Sequence, residues 1–67
     1  MKRWKLTKNG KVMFWTFYSQ NGLSWIESDR GDILKVKDFS SAEEIINNQV
    51  SKHGWHKEIV YSDIISV

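Results

Sequence analysis

Apolar and polar residues alternate along the first half of the chain, and two Asn-Gly pairs interrupt the alternation. Asn9-Gly10 and Asn21-Gly22 suit two-residue hairpin turns, because both central residues of a type I′ turn need a positive φ that Asn and Gly tolerate. Strands are therefore predicted at about residues 2–8, 11–19 and 23–28.

The two turns also set the register of these strands. The first turn predicts three cross-strand pairs: Lys8 with Lys11, Leu6 with Met13, and Trp4 with Trp15. The second predicts three more: Tyr18 with Trp25, Phe17 with Ile26, and Thr16 with Glu27. Since side chains alternate between the faces of a sheet, one face carries the residues predicted to form the core, Trp4, Leu6, Met13, Trp15, Phe17 and Ile26.

A fourth strand is predicted over residues 33–37, after a turn at residues 29–32. A three-residue loop with a Gly bulge would direct Leu34 and Val36 to the core, and Lys35 and Lys37 outward. A two-residue loop would instead bury the lysines, at a high desolvation cost. The tripeptide Arg30-Gly31-Asp32 is interpreted as part of this turn and not as an adhesion motif.

A single helix is predicted to begin at Ser40, where Ser40-Ser41-Ala42-Glu43 has the pattern of a capping box. It is predicted to end at Gly54. Its apolar positions recur at helical spacing and form one stripe, Ala42, Ile45, Ile46 and Val50. This stripe is expected to cover the core face of the sheet.

The segment 57–67 reads as a final strand or an ordered tail, because it contains apolar pairs at residues 59–60 and 64–65. Three placements stay open: along a sheet edge, on a second chain, or over the second face of the sheet. The prediction is an α+β fold in one domain, residues 1–67. It has an antiparallel three- to four-stranded β-meander packed on one α-helix, with a C-terminal strand as a further alternative.

The composition excludes several classes of protein. The chain of 67 residues has no cysteine, which excludes disulfides and thiolate zinc sites and favours a cytoplasmic location. No segment approaches the 18 or so apolar residues of a membrane helix, so no membrane insertion is expected. Ten basic and eight acidic residues are too balanced to predict nucleic-acid binding by themselves.

Candidate catalytic chemistry is sparse. His53 and His56 are three residues apart, but the nearest acids do not complete a recognised metal-ligand spacing. The sequence has no nucleophile elbow and no Gly-rich phosphate loop. We therefore predict no enzymatic activity, no metal and no cofactor.

The second face of the predicted sheet carries aromatic residues that the core does not need. These are Phe14, Tyr18 and Trp25, predicted to be neighbours and bordered by Arg3, Lys5, Lys35 and Lys37. Exposed aromatic side chains in a group are typical of an interaction site. The alternative is that the C-terminal segment covers them as a second core.

Residues 12–54 resemble the YegP-like small domains of uncharacterised function. The matching pieces are Phe14-Trp15-Thr16-Phe17, Gln20-Asn21-Gly22, Ile26-Glu27-Ser28 and the helix start from Ser40 to Ile46. The turn and strand at residues 29–37 have no counterpart in that pattern. The resemblance implies a three-stranded sheet on a helix and self-association, and it supplies no catalytic residues.

Two functions of different classes are predicted for the second face. The first is a protein-interaction module, acting as a homodimer or as a small accessory or inhibitor protein of a bacterium or phage. The second is a single-stranded nucleic-acid-binding module, in which bases stack on the aromatic rings and the basic residues follow the phosphates. Glu27 and the balanced charge favour the first.

Overall fold

A computed structural model describes residues 2–61 of the chain. The elements in chain order are β1 Lys2–Lys8, β2 Lys11–Gln20, β3 Leu23–Ser28, β4 Ile33–Val36, α1 Phe39–His53 and β5 His56–Tyr61. The strands form one five-stranded antiparallel sheet in the order β4-β3-β2-β1-β5. The predicted α+β fold is confirmed, and both the fourth strand and a C-terminal strand are present.

The two Asn-Gly turns have the predicted backbone conformation. φ is 47° at Asn9 and 81° at Gly10, and it is 50° at Asn21 and 79° at Gly22. All six cross-strand pairs predicted from these turns are observed. Positive φ at both central residues matches the turn to the twist of the strands, so local chemistry is sufficient to align β1, β2 and β3.

The third turn is the predicted three-residue loop, with Gly31 at φ 95°. The backbone N–H of Ser28 donates to Asp32 O at 2.9 Å, which closes the loop. The buried Ser28 hydroxyl accepts hydrogen bonds from the N–H groups of Arg30 and Asp32, each at 3.1 Å. Arg30-Gly31-Asp32 is therefore part of a turn, which the buried hydroxyl of Ser28 stabilises.

The loop places β4 in the predicted orientation. Leu34 lies opposite Ile26 on the core side, and Lys35 lies opposite Trp25 on the second face. Leu34 nevertheless remains 43% exposed, because β4 is an edge strand. The core contribution of β4 comes from Val36, which is partly buried against the cluster.

The core lies between α1 and one face of the sheet. Its buried members are Trp4, Leu6, Met13, Trp15, Ile26, Ala42 and Ile46, with Phe17, Ile45 and Val50 packed against them. The predicted core face and helical stripe are confirmed. Phe39 and Trp55, at the two ends of the helix, also pack against the core and were not predicted.

The predicted start of the helix is wrong. The N-cap is Asp38 and not Ser40, and the Asp38 carboxylate accepts the Ser41 N–H at 2.8 Å. The Phe39 ring explains the shift: its centroid lies 5.6 Å from Trp4 and 5.2 Å from Phe17, so docking of this ring draws residue 39 into the first turn. The predicted end at Gly54 is confirmed, with φ 70°.

Residues 57–61 of the C-terminal segment take the sheet-edge placement. β5 pairs antiparallel with β1, with Ile59 opposite Trp4 and Glu58 opposite Lys5. Residues 62–67 of the predicted segment lie outside the described residues. No helix within residues 2–61 has the length and apolar character needed to span a membrane.

Candidate functional site

The second face is the face of the sheet turned away from α1. Strand alternation places six of the seven predicted site residues on it: Arg3, Lys5, Phe14, Tyr18, Trp25 and Lys35. The seventh, Lys37, follows the end of β4 and lines a groove together with Lys35. Because β5 lies beside β1, its residues extend this face instead of covering it.

Tyr18 and Trp25 form an ordered aromatic pair on the second face. Their ring centroids are 5.5 Å apart and the planes are inclined by 18°, so the rings are stacked. The Trp25 indole Nε1 donates to the Glu27 carboxylate at 2.8 Å. The stacking contact on a face of the Trp25 ring and the charge-assisted hydrogen bond at its edge together hold the ring in one orientation.

The prediction that Phe14 adjoins this pair is wrong. Phe14 precedes Tyr18 by four residues on β2, a separation of about 13 Å at the usual rise of a strand. Its ring lies beside Arg3 instead, with the guanidinium carbon 5.4 Å from the ring centroid. Arg3 Nε also donates to the Thr16 hydroxyl at 3.3 Å. The second face therefore carries two separate aromatic groups, one at Phe14 and one at Trp25.

A groove of about 460 Å³ adjoins Trp25, at the side of the sheet formed by β3 and β4. Apolar and cationic side chains line it together: Leu23, Trp25, Ile33, Lys35 and Lys37. Leu23 is 66% exposed and Ile33 60% exposed, more than any other large apolar side chain in the described part of the chain. The groove has the volume and mixed lining of a ligand site.

Sequence reasoning missed Leu23 and Ile33 as members of this site. The register places both residues on the second face. Leu23 is two residues before Trp25 in the same strand, and Ile33 pairs with Glu27. What the sequence does not show is their exposure. A strand residue at a sheet edge or beside a turn has fewer neighbours to cover it than one in a central strand.

Two carboxylates beside groove-lining residues, those of Glu27 and Asp38, already accept hydrogen bonds. Glu27 accepts from Trp25, as described above. Asp38 follows Lys37 directly, but it accepts hydrogen bonds from the backbone N–H and the hydroxyl of Ser41, which lower its pKa below the ordinary value of 3.8. Lys35 and Lys37 are both exposed, so an acidic ligand can reach their charges, although the charge of Lys37 also helps to lower the pKa of Asp38.

The described residues bring no metal site together. Within residues 2–61, no group of three or more His, Asp or Glu side chains is arranged to hold an ion. His53 lies in the last turn of α1, where a basic side chain complements the exposed helix carbonyls. His56 lies in β5.

No family model, no curated protein and no solved structure matches the chain. The resemblance to YegP-like domains stays a prediction. Function must be inferred from the residues of the second face.

Proposed function

We propose that this chain is a non-enzymatic protein-interaction module that binds its partner through the second face, with Trp25 as the central anchor. The observation that carries the proposal is the groove beside Trp25, where Leu23 and Ile33 expose 66% and 60% of their surface. A tryptophan flanked by exposed apolar side chains is the composition found at the energetic centre of protein interfaces.

The anchor is ordered before any partner binds. Tyr18 stacks on the Trp25 ring and Glu27 accepts its indole N–H. A side chain held in its binding orientation loses little conformational entropy on association, so more of the contact energy contributes to affinity. This preorganisation supports a binding role for Trp25.

The charge around the groove narrows the chemistry of the partner. Lys35 and Lys37 line the groove itself, and Lys5 and Arg3 lie further along the second face. Complementary charge sets the orientation and specificity of an interface. We expect a partner surface that presents an acidic residue beside apolar ones.

Single-stranded nucleic acid is the competing ligand, since lysines beside an aromatic ring also suit phosphates beside a base. Two contacts support the protein ligand over it. The Glu27 carboxylate lies 2.8 Å from the Trp25 Nε1, which puts negative charge where a phosphate backbone would pass. Tyr18 also stacks on Trp25, so fewer ring faces are free for bases.

The test compares Trp25→Ala with Phe14→Ala, a control on the same face but in the other aromatic group. Proteins that cross-link to the wild-type chain in cells are purified and titrated against both variants. Trp25→Ala should weaken binding about thirtyfold or more, while Phe14→Ala should have a smaller effect. Circular dichroism checks that both variants are folded.

Two results would contradict the proposal. One is a Trp25→Ala variant that binds the purified partner as tightly as wild type does. The other is tight binding of the wild-type chain to a mixed-sequence oligonucleotide with affinity that falls steeply as salt rises, because that dependence is typical of released counterions.

A further inference from the structure

Arg3 is held at two points on the second face, although the residue is exposed. Its guanidinium carbon lies 5.4 Å from the Phe14 ring centroid, and its Nε donates to the Thr16 hydroxyl at 3.3 Å. Thr16 is only 5% exposed, so the accepting hydroxyl belongs to a side chain that is fixed within the sheet. A long exposed side chain usually samples many rotamers, whereas these two contacts restrict Arg3 to few of them.

The outer end of this guanidinium has no partner within residues 2–61. Arg3 makes no hydrogen bond or ion pair there beyond its contact with Thr16. The N–H groups of both Nη atoms are therefore open to a ligand. They lie in one plane and form the fork that binds the two oxygens of a carboxylate.

A second positive charge lies close to Arg3. Lys5 is two residues further along β1 on the same face, about 7 Å away at the usual rise of a strand. Glu58 lies opposite Lys5 on β5, but neither Arg3 nor Lys5 forms an ion pair in the described part of the chain. Two neighbouring cations are therefore available to the same ligand.

The acidic residues on this face decide which oxyanion fits. Glu58 lies opposite Lys5, and Glu27 lies opposite Thr16. Two carboxylates near two cations leave little excess positive charge, which disfavours a phosphate group with its one to two negative charges. A carboxylate carries a single charge and has the planar shape that a guanidinium binds through two parallel hydrogen bonds.

We propose that Arg3, assisted by Lys5, binds a carboxylate group of the protein that docks on the second face. That the carboxylate belongs to a protein rests on the proposed function. Arg3 is separated from Trp25 by β2, about 10 Å across the sheet at the usual strand spacing. The partner surface therefore presents an aspartate or glutamate about 10 Å from the apolar residue that contacts Trp25, and this second contact fixes its orientation.

The other arginine of the chain supplies an internal control. Arg30 is exposed in the turn before β4, and its side chain makes no hydrogen bond, ion pair or ring contact within residues 2–61. Acetate replaces chloride at constant ionic strength, and NMR follows the side-chain Nε–H signals of both arginines. Because the Arg3 guanidinium is already ordered, its dissociation constant for acetate should be about fivefold or more below that of Arg30.

Two variants test how Arg3 is positioned. Thr16→Val nearly keeps the side-chain volume and removes the acceptor of the Arg3 Nε–H. Phe14→Leu removes the ring and keeps an apolar side chain. Each should raise the dissociation constant of Arg3 for acetate toward that of Arg30, while circular dichroism shows an unchanged fold. A merely structural role of the two contacts would leave that constant unchanged.

A third variant tests the fork itself. Arg3→Lys keeps the positive charge and loses the planar pair of donors, so the acetate-induced shift of the Lys5 backbone N–H signal should fall about fivefold or more. Arg30→Lys makes the same change at the unrestrained arginine and is the matched control. It should leave the shift at Lys5 unchanged.

Three outcomes of these titrations would overturn the inference. The first is an equal dissociation constant for acetate at Arg3 and Arg30. The second is an undiminished shift at Lys5 in Arg3→Lys. The third is inorganic phosphate that binds Arg3 more than about tenfold tighter than acetate does, because this result would assign a phosphate ligand to the site.

Failure of this inference can be told apart from failure of the proposed function. Trp25→Ala should keep the acetate response of Arg3, because the two residues lie on strands that are not neighbours. With the purified partner, Arg3→Lys should weaken binding about fivefold or more, and Arg30→Lys should not. A partner that binds Arg3→Lys as tightly as wild type overturns the carboxylate contact and leaves the role of Trp25 intact. A partner that ignores Trp25→Ala contradicts the proposed function and leaves the acetate site at Arg3 in place.

Discussion

Tyr18 and Trp25 lie directly opposite each other on β2 and β3, and their rings stack with centroids 5.5 Å apart. The pair lies on the face that α1 does not cover, and both side chains are half-buried. Each ring therefore covers part of the other. The same contact stabilises the β2–β3 hairpin and orients Trp25 for the proposed binding role.

The stacking of Tyr18 on Trp25 should appear as a coupling energy. In a double-mutant cycle with Tyr18→Ala and Trp25→Ala, we expect about 0.5–1.5 kcal/mol of coupling in the free energy of unfolding. Chemical denaturation of the four proteins measures it. A control cycle with Phe14→Ala in place of Tyr18→Ala should give coupling near zero, since Phe14 lies beside Arg3. Equal coupling in both cycles would mean that the rings are not paired as described.

Trp15 should be essential for folding. It lies opposite Trp4 in the core and is only 7% exposed. Trp15→Ala is expected to cost about 3–5 kcal/mol, which approaches the entire stability of so small a domain. Val12→Ala, at a 45% exposed position of the same strand, should cost far less. A Trp15→Ala variant with wild-type thermal stability would show that the two faces of the sheet are exchanged.

Substitutions at Asp38 and at Ser40 should have different effects on thermal stability, because only Asp38 caps the helix. Asp38→Ala removes the acceptor of the Ser41 N–H and should lower the midpoint of thermal unfolding by a few degrees. Ser40→Ala should leave the midpoint close to wild type, because Ser40 lies inside the helix and not at its cap. The reverse order of the two effects would restore the capping box predicted from the sequence.

The same cap predicts a dependence of stability on pH. The lowered pKa of Asp38 means that its ionised form stabilises the folded state. This contribution is complete above 3.8, the ordinary pKa expected in the unfolded chain, and it is lost as pH falls through the lowered pKa of the folded state. Asp38→Asn keeps a neutral cap and should lack that loss. Unfolding curves of both proteins from neutral pH downward should therefore converge or cross below pH 3.8, and a constant difference would contradict the prediction.

Local chemistry explains why so much of the sheet could be predicted. Asn-Gly at residues 9–10 and 21–22 sets two turns, and each turn aligns its flanking strands without help from distant residues. Once the register is set, period-two alternation assigns every strand residue to a face. The helical stripe and Gly54 follow from equally local rules.

The helix start shows where local rules compete. Asp38, Ser40 and Ser41 are all good N-cap residues within four positions, and the capping-box pattern favours Ser40. Contacts of Phe39 with Trp4 and Phe17 decide in favour of Asp38. These contacts join residues far apart in the chain, so no local pattern contains them.

The sequence by itself determined the turns, the register, the division of side chains between two faces and the helical stripe, because each depends on neighbouring residues. Only the tertiary structure decided that β5 lies at the edge beside β1 and that Leu23 and Ile33 stay exposed beside Trp25. Edge position and exposure depend on which elements meet across the whole domain, and that is set by the competition of distant segments for the same apolar surface.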